Sequence, residues 1–362
     1  MGTLLLERLS KQFGSAVAVD DVTLLVAEGE FVSLLGPSGC GKTTTLRMVA
    51  GFVVPSSGRI VLDGEEITGT PPQRRQAGMV FQNYVLFPHL TVFENVAFGL
   101  VEARRPATEI KRRVAELLAL VQMQGMEERY PTQLSGGQEQ RVALARALAP
   151  SPRLVLMDEP LGALDLKLRQ YMQVELMRIL TELKVTTVYV THDQSEALSM
   201  SDRIAVMRDG RVEQIGTPRE IYDRPGSPYV ANFVGRVNFL RGVYDTMARG
   251  VVIGGGKLLK AQIRTPNVQR EVILAVRPEH ISVASESSEG NNILRGVVTR
   301  VDFHGNLVQL YVATESEHEL VVEQPAMLTG AHVGQRVALS LPEDQLVVWP
   351  DRGEDFAMVG RS

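Results

Sequence analysis

The sequence predicts an α/β protein in which a mostly parallel sheet with helices on both faces is followed by a small all-β domain. Through the first two thirds of the 362 residues, short apolar runs alternate with helix-like stretches, which is the pattern of a parallel sheet. From about residue 236 onward the apolar runs become short, β-rich and separated by turn residues. A chain of this length is expected to form two domains, which we place at 1–235 and 236–362.

Three strand–helix pairs define the first domain. In chain order, the predicted strands and the helices that follow them are EFVSLLG with KTTTLRMVAG, RLVLMDEP with LKLRQYMQVELMRILTEL, and TTVYVTHD with QSEALSM. Between the first two pairs, at about 83–150, a mainly helical stretch containing ATEIKRRVAELLALVQM interrupts the alternation. We interpret this stretch as a helical subdomain inserted into the sheet domain.

The second domain is predicted from short β-rich runs, which are REVILAV, ILRGVVTRVDFH, NLVQLYVAT, HELVVEQ and QRVALSLPEDQLVVWP. They are separated by Gly, Asn and polar turns, and the change of character follows YDRPGSPYVANFVG, so the boundary is expected near 226–235. Runs of this length and spacing favour a small antiparallel barrel or sandwich.

Composition excludes several classes of protein. Hydrophobic residues make up 44% of the chain and charged residues 22%, as in ordinary globular proteins, and the net charge of −4 gives no attraction to nucleic acid. The single cysteine, Cys40, cannot form an internal disulfide, which suits a reducing compartment. No uninterrupted apolar run reaches the roughly eighteen residues that a bilayer requires, so a role at a membrane would need other chains.

A phosphate-binding loop is predicted at GPSGCGKTT, residues 36–44, which satisfies the pattern G-x-x-x-x-G-K-[ST] between a strand and a helix. Glycines let backbone amides curl around phosphate oxygens, Lys42 neutralises the terminal phosphates, and Thr43 offers a hydroxyl to Mg²⁺. A purely structural glycine-rich turn is rare in this context. The loop therefore predicts a nucleoside triphosphate site.

Polar residues at three strand ends are candidates for the chemistry. Asp158 and Glu159 end one apolar strand, and adjacent carboxylates are costly to hold together unless a cation or a reacting water uses them. His192 ends the next strand, where it would point into the same crevice, although an isolated histidine is more often a surface residue. Gln82 follows AGMVF and is uninformative by itself.

The stretch LSGGQ, from Leu134 to Gln138, precedes a segment with good helix propensity. Ser135 is a good helix N-cap, so a capped helix explains the stretch. The bare amides of Gly136 and Gly137 at the positive end of a helix would equally suit a phosphate. These residues alone leave both interpretations open.

Taken together, the order Phe13, GPSGCGKTT, Gln82, LSGGQ, LMDEP, LGALD and His192 resembles the ATPase subunit of the ATP-binding cassette transporters over roughly residues 4–233. The resemblance implies a P-loop NTPase core that binds ATP and Mg²⁺. It also implies a homodimer in which two copies lie head to tail, so that each copy's LSGGQ closes the nucleotide site of the other.

The resemblance assigns a role to each matching residue. The phosphates and magnesium are held by Gly36, Pro37, Ser38, Gly39, Cys40, Gly41, Lys42, Thr43 and Thr44. Phe13 stacks on adenine, Asp165 lies at the dimer seam, and the other copy's nucleotide is reached by Ser135, Gly136, Gly137 and Gln138.

The same resemblance divides the catalytic roles among four side chains besides Lys42. Glu159 is the general base, His192 contacts the γ-phosphate, and Asp158 supports the metal together with Thr43. Gln82 links the metal or the attacking water to the membrane partner. Many relatives have a second Gln where this chain has Glu139, and we expect little effect of that difference on hydrolysis.

The segment VFQNYVLFPHLTVFENVAFGL and the β-rich tail more narrowly resemble bacterial importers served by a periplasmic solute-binding protein. This resemblance implies a peripheral protein at the cytoplasmic face of the inner membrane. Two integral-membrane permease subunits would dock near Tyr84–Phe98, and the solute-binding protein would act through them.

The tail resembles the OB-like barrel domain of sugar, polyamine, iron and phosphonate importers, through VRPEHI at 276–281 and GVVTRVDFHGN at 296–306. Its role in dimerisation or regulation stays open. The compact NFVGRVNFLRG favours a polyamine such as spermidine or putrescine, with phosphonate, ferric iron or sugar as alternatives.

A different class, the soluble cassette ATPases of translation or nucleic-acid repair, is the main alternative. Such proteins generally carry two cassettes or a long coiled-coil insertion, whereas this sequence has one phosphate loop, one LSGGQ and no heptad run. A P-loop GTPase would need an N-K-x-D motif and would leave LSGGQ unexplained. We therefore favour the importer ATPase and expect no nucleic-acid partner.

Overall fold

A six-stranded sheet lies at the centre of the first of two units in the computed structural model, which describes residues 2–162, 164–261, 270–287, 289–316, 318–328 and 330–351. The strands of the first unit are β1 (Leu4–Phe13), β2 (Ala16–Val26), β3 (Phe31–Leu35), β4 (Ser57–Leu62), β5 (Glu65–Glu66), β6 (Ala77–Val80), β7 (Leu154–Asp158), β8 (Thr186–Thr191), β9 (Arg203–Arg208) and β10 (Arg211–Gly216). The order in the large sheet is β10-β9-β3-β8-β7-β6.

The large sheet is parallel except at one edge. β3 pairs in parallel with β8 and β9, β7 pairs in parallel with β6 and β8, and only β10 among these strands runs antiparallel. Every residue of β3, β7 and β8 is buried, as expected of strands covered on both faces. The predicted parallel sheet is confirmed, and the carboxyl ends of β3, β7 and β8 meet at one edge.

Helices cover the sheet and form the predicted insertion. Those of the first unit are α1 (Lys42–Ala50), α2 (Val92–Glu102), α3 (Ala107–Leu120), α4 (Gly136–Leu148), α5 (Leu166–Leu183) and α6 (Gln194–Met200). Because α2, α3 and α4 follow β6 and precede β7, the helical subdomain interrupts the sheet as the sequence predicted. Its apolar faces share a core with one face of the sheet.

A four-stranded antiparallel sheet, ordered β2-β1-β4-β5, was not predicted from the sequence. The alternation that marks a half-buried strand is present at Leu4 and Leu6, but the register shifts before Leu9 and Arg8 has a left-handed φ of 45°. This irregularity interrupts the period of two on which a strand prediction relies.

The second unit begins after Arg219. It contains most of α7 (Pro218–Asp223), then α8 (Pro228–Phe233) and the strands β11 (Asn238–Asp245), β12 (Gly250–Ile253), β13 (Leu258–Lys260), β14 (Glu271–Val276), β15 (Ser282–Ala284), β16 (Ile293–Phe303), β17 (Leu307–Thr314), β18 (Glu319–Pro325), β19 (Arg336–Ser340) and β20 (Val347–Pro350). Two five-stranded antiparallel sheets, β13-β12-β11-β14-β20 and β15-β19-β16-β17-β18, share one apolar core. The prediction of a small all-β domain is confirmed.

Residues 220–235 pack with the second unit, although the sequence suggested a domain boundary after residue 235. The buried guanidinium of Arg277 donates hydrogen bonds to the carbonyls of Tyr222, Ala231 and Arg236. These hydrogen bonds join residues 220–235 to the end of β14 and the turn that follows it. The sequence did not predict this packing, because a contact between distant parts of the chain leaves no local pattern. The domain boundary at residue 235 stays a prediction.

Candidate nucleotide site

The phosphate loop curls between β3 and α1 and requires glycine at two of its positions. A Cβ on Gly36 would lie 2.6 Å from Sγ of Cys40 and 2.6 Å from the carbonyl oxygen of Met207. A Cβ on Gly41, where φ is +101°, would lie 2.4 Å from the carbonyl oxygen of Ala18. Since a larger side chain at either position would collide with backbone, these glycines let the loop close tightly against its neighbours.

Lys42 is a buried cation at the base of the loop. Its side chain is 4% exposed, and Nζ donates hydrogen bonds to the carbonyls of Gly36 and Pro37, each at 2.8 Å. None of the ion pairs found within the described ranges includes Lys42. A buried ammonium group whose partners are neutral carbonyls provides a positive charge for an anionic ligand.

Cys40 is 4% exposed and lies 3.8 Å from Nζ of Lys42. Burial raises the pKa of the thiol, so the group is uncharged and behaves as a small apolar residue. The structure therefore offers no support for thiol chemistry at this position.

A cavity of about 240 Å³ opens above the loop. The residues that line it are Ala18, Ser38, Gly39, Gly41, Lys42, Thr43, Thr44 and Glu159. Ala18 was not singled out from the sequence, because a small apolar residue of a β-hairpin carries no chemical signal. A lining that combines the glycine-rich loop with the buried cation of Lys42 suits a polyphosphate.

A hydroxyl and a carboxylate meet beside the loop. The Thr43 hydroxyl donates a 3.0 Å hydrogen bond to Oδ1 of Asp158, whose side chain is 6% exposed at the end of β7. Burial raises the pKa of the Asp158 carboxyl, and the hydrogen bond from Thr43 and the charges of Arg47 and Lys42 offset part of that rise. Two hard oxygen ligands at this distance form a donor set that suits Mg²⁺.

Glu159 is contacted by two side chains from neighbouring segments. Nε2 of Gln82 donates a 3.3 Å hydrogen bond to Oε2 of Glu159, and Nδ1 of His192 lies 3.1 Å from the same oxygen. Glu159 has a left-handed φ of 45°, which is rare for a residue with a side chain and is typical of functional sites. The structure thus brings together three residues that lie far apart in the sequence.

The LSGGQ stretch begins α4 and lies outside the cavity. Ser135 is the N-cap, and its backbone N–H donates to Oε1 of Gln138 at 2.9 Å. Ser135 and Gly136 are exposed, and none of the cavity's described lining residues comes from 135–138. Ser135 and Gly136 are therefore exposed residues that do not line the chain's own cavity, whereas Gly137 is buried.

Two further predicted residues are also outside the cavity lining. Phe13 is 51% exposed at the end of β1, in the hairpin that brings Ala18 beside the loop. Asp165 is exposed and caps α5, where its side chain accepts a hydrogen bond from the N–H of Leu168 at 3.1 Å. Ala163 of the LGALD stretch lies outside the described residues.

The segment Tyr84–Phe98, which was expected to form a docking groove, contains both buried and exposed apolar side chains. Tyr84 is only 5% exposed, so it is part of the core rather than of an exposed groove. Val85 and Phe98 are 55% and 39% exposed, and the Phe87 ring centroid lies 4.6 Å from that of Phe98. Val85 and Phe98 thus supply the apolar surface that was expected from Tyr84.

Two family models match the chain: one described as ABC transporter matches residues 19–162, and one described as TOBE domain matches 274–349. The chain is 51% identical to the spermidine/putrescine import ATP-binding protein PotA of Acidothermus cellulolyticus, over 95% of this chain and 90% of that protein. It is 51% identical to the protein of the same name from Thermobifida fusca, over 88% of this chain and 85% of that protein.

Solved structures resemble the chain over 60% of its length. The post-hydrolysis dimer of the ATP-binding cassette MJ0796 with ADP and Pi has a TM-score of 0.54 and 35% identity, and the match covers 60% of this chain and 99% of that one. CbiO1 from Clostridium perfringens, part of the ABC transporter complex cbiONQ, has a TM-score of 0.57 and 31% identity, over 60% and 89% of the two chains.

Proposed function

The chain belongs to the ATP-binding subunits of the ABC transporters, and on this premise we propose that it hydrolyses ATP to drive the import of a polyamine, spermidine or putrescine, through partner membrane subunits. The observation that carries the proposal is the meeting of a buried cation, a hydroxyl–carboxylate pair and a second carboxylate at one phosphate-sized cavity. This combination binds a nucleoside triphosphate and activates water beside it.

The side chains that line the cavity, and those that contact them, divide the tasks of the reaction. Lys42 and the loop amides bind the phosphates and neutralise their charge. Thr43 and Asp158 are the residues that would hold Mg²⁺, which when bound supplies further positive charge to the leaving and transferred groups. Glu159 accepts the proton of the attacking water, and His192, which also contacts Glu159, reaches the γ-phosphate. Gln82 donates a hydrogen bond to Glu159 and links the metal or the attacking water to the membrane partner.

Replacing Asp158 with Asn is expected to abolish stabilisation by Mg²⁺·ATP without destabilising the nucleotide-free chain. Because burial raises the pKa of Asp158, its charged form at neutral pH costs folding free energy that a neutral amide does not. An Asn oxygen can still accept the hydrogen bond from Thr43. Thermal unfolding with and without Mg²⁺·ATP measures both effects, and a marked fall in the melting temperature of the nucleotide-free variant would contradict the expectation.

Alkylation of Cys40 is expected to block ATP binding. The thiol fills the space between Gly36 and Lys42, so an adduct would displace the loop. Binding of a fluorescent ATP analogue is measured after complete reaction with N-ethylmaleimide, with treated Cys40→Ser protein as the control. Full binding by the alkylated wild-type chain would show that the loop accommodates the adduct.

We assign the working form as a head-to-tail homodimer with two composite ATP sites. The exposed residues Ser135 and Gly136 at the start of α4 lie outside the chain's own cavity lining, which supports this arrangement because a second copy could cover them. Two solved structures of the similar cassette MJ0796 are dimeric, which supports a homodimer. In this arrangement Ser135, Gly136, Gly137 and Gln138 reach the partner's nucleotide, Asp165 lies at the seam and Phe13 stacks on adenine.

The membrane partners in the proposal are two integral-membrane permease subunits that dock near Tyr84–Phe98, at the cytoplasmic face of the inner membrane. Exposed Val85 and Phe98 on this segment support an apolar contact. Among the described helices, none combines the length and the apolar character needed to cross a bilayer. A periplasmic solute-binding protein would deliver the polyamine to the permeases, and nucleic acid has no part in the proposal.

Uptake by membrane vesicles tests the proposed substrate. The chain is isolated with its co-purifying membrane subunits and solute-binding protein, and radiolabelled spermidine or putrescine is supplied on the side of the binding protein. We expect uptake that requires ATP on the other side and that excess unlabelled polyamine inhibits. Uptake of a sugar, a phosphonate or ferric iron instead would replace polyamine as the substrate, and salt-sensitive association with RNA or DNA would favour a soluble cassette ATPase.

A further inference from the structure

Residues 83–91, between β6 and α2, belong to no helix or strand and have an unusual backbone. Tyr84 and Val85 have left-handed φ values of 57° and 44°. Val85 is β-branched, so this conformation is costly and persists only where surrounding groups stabilise it. Other parts of the chain must therefore hold the segment in place.

Arg146 of α4 holds the first part of the segment. One terminal nitrogen of its guanidinium donates to the carbonyl of Val85 at 2.8 Å, and the other donates to the carbonyl of Tyr84 at 3.1 Å. The guanidinium carbon also lies 5.4 Å from the centroid of the Phe87 ring. The planar guanidinium group of a residue in α4 thus holds both strained residues in place.

Asn95 of α2 holds the second part. The side chain is fully buried, and its Oδ1 accepts a 2.8 Å hydrogen bond from the N–H of Phe87. Nδ2 donates to the carbonyls of Phe87, Leu90 and Thr91 at 3.1, 3.0 and 3.0 Å. Two side chains of the helical subdomain therefore stabilise the whole segment, and it is expected to move with α2 and α4.

The attachment to α4 matters because this helix begins with the LSGGQ stretch. Gly136 at its first turn lies ten residues from Arg146, or about 15 Å along an uninterrupted helix. A displacement of the segment can therefore move the start of α4 without any change within the helix.

From this geometry, and resting on the proposed function, we infer that Arg146 is the positioning residue that couples residues 84–91 to the LSGGQ end of α4. Residues 84–91, called the docking segment below, lie within the region where the permease is proposed to dock. A permease that moves residues 84–91 would pull on Arg146 and so change the position of Ser135 and Gly136 over the partner's nucleotide. The partners of Arg146 are Tyr84, Val85 and Phe87, none of which lines the nucleotide cavity. Arg146 therefore takes no part in the reaction itself and acts by positioning α4.

Arg146→Lys tests the inference, because lysine keeps the charge but cannot donate to both carbonyls from a rigid fork. In vesicles that contain the complete transporter, the amount of polyamine imported per ATP hydrolysed is expected to fall about fivefold or more. The ATPase kcat and the KM for ATP of the isolated chain are expected to stay within about twofold of wild type. A residue that merely stabilised the fold would not lower transport while sparing hydrolysis.

Arg113→Lys is the matched control. Arg113 is also half-buried in the helical subdomain and also donates to backbone carbonyls, those of Leu148 and Ala149, but it does not contact the docking segment. Its substitution should leave the import-to-hydrolysis ratio unchanged. The inference is overturned if Arg146→Lys retains the wild-type ratio, or if both variants lower it equally. An absence of polyamine uptake by the wild-type vesicles would instead refute the proposed function, and the inference with it.

A measurement on the wild-type protein covers the case in which Arg146→Lys does not fold. Amide hydrogen exchange is compared between the ATP-bound dimer of the chain without permeases and the complete transporter with ATP, so that the dimer contacts are the same in both samples. Docking is expected to slow exchange at residues 84–91 and at the first turn of α4 together. Slower exchange at 84–91 alone, with residues 135–140 unchanged, would contradict the coupling.

Discussion

Glu159→Gln is expected to lower ATP turnover by about 10²- to 10⁴-fold while ATP binding persists, since that is the usual contribution of a general base. The amide oxygen of Gln can still accept the hydrogen bond from Gln82, so the local structure survives. It cannot take a proton from water. The substitution also removes the negative charge of Glu159, which repels the phosphates. We therefore expect ATP to stay bound in a dimer that cannot complete the reaction.

Steady-state hydrolysis, binding of a fluorescent ATP analogue and size-exclusion chromatography with ATP measure the three parts of this expectation. Glu139→Gln is the matched control, because it makes the same chemical change in a half-buried carboxylate of α4 that lines no part of the cavity. It should hydrolyse ATP at close to the wild-type rate. A Glu159→Gln protein that kept more than about a tenth of wild-type turnover would exclude Glu159 as the base.

The sequence was sufficient to predict features that local patterns encode. The phosphate loop, the buried parallel strands and the helical insertion each have a contiguous signature, and the predicted α5 and α6 segments match the helices at Leu166–Leu183 and Gln194–Met200. The meeting of Thr43 with Asp158 could also be expected, because the carboxyl ends of all the strands of a parallel sheet lie at the same edge.

Other features depend on contacts that no local pattern records. Arg146 reads in the sequence as one more basic residue of an amphipathic helix, because its partners are the backbone carbonyls of a segment about sixty residues away. The burial of Tyr84 and the left-handed conformation of Glu159 likewise follow from packing and not from residue type. Positioning residues are therefore harder to predict from a sequence than the residues that carry the chemistry.

Gly136→Asp is expected to reduce hydrolysis by the dimer at least about 100-fold and to leave ATP binding by a single chain intact. The nearest atom to a Cβ at this position is Cδ2 of Leu164, at 3.5 Å, so a side chain fits without disturbing the fold. A carboxylate at the start of α4 would lie beside the partner's terminal phosphate, and such like-charge juxtaposition costs several kcal/mol. Gly136→Ala, which adds a side chain without charge, should be far less impaired.

Mixing two inactive variants provides the decisive measurement. In a head-to-tail dimer of one Gly136→Asp chain and one Lys42→Ala chain, one site combines an intact phosphate loop with an intact LSGGQ, and the other site carries both changes. Random association in equal amounts yields mixed dimers as half of the population, so about a quarter of wild-type hydrolysis should return if the two sites act independently. If LSGGQ served the chain's own nucleotide instead, both sites of the mixed dimer would be defective and mixing would restore nothing.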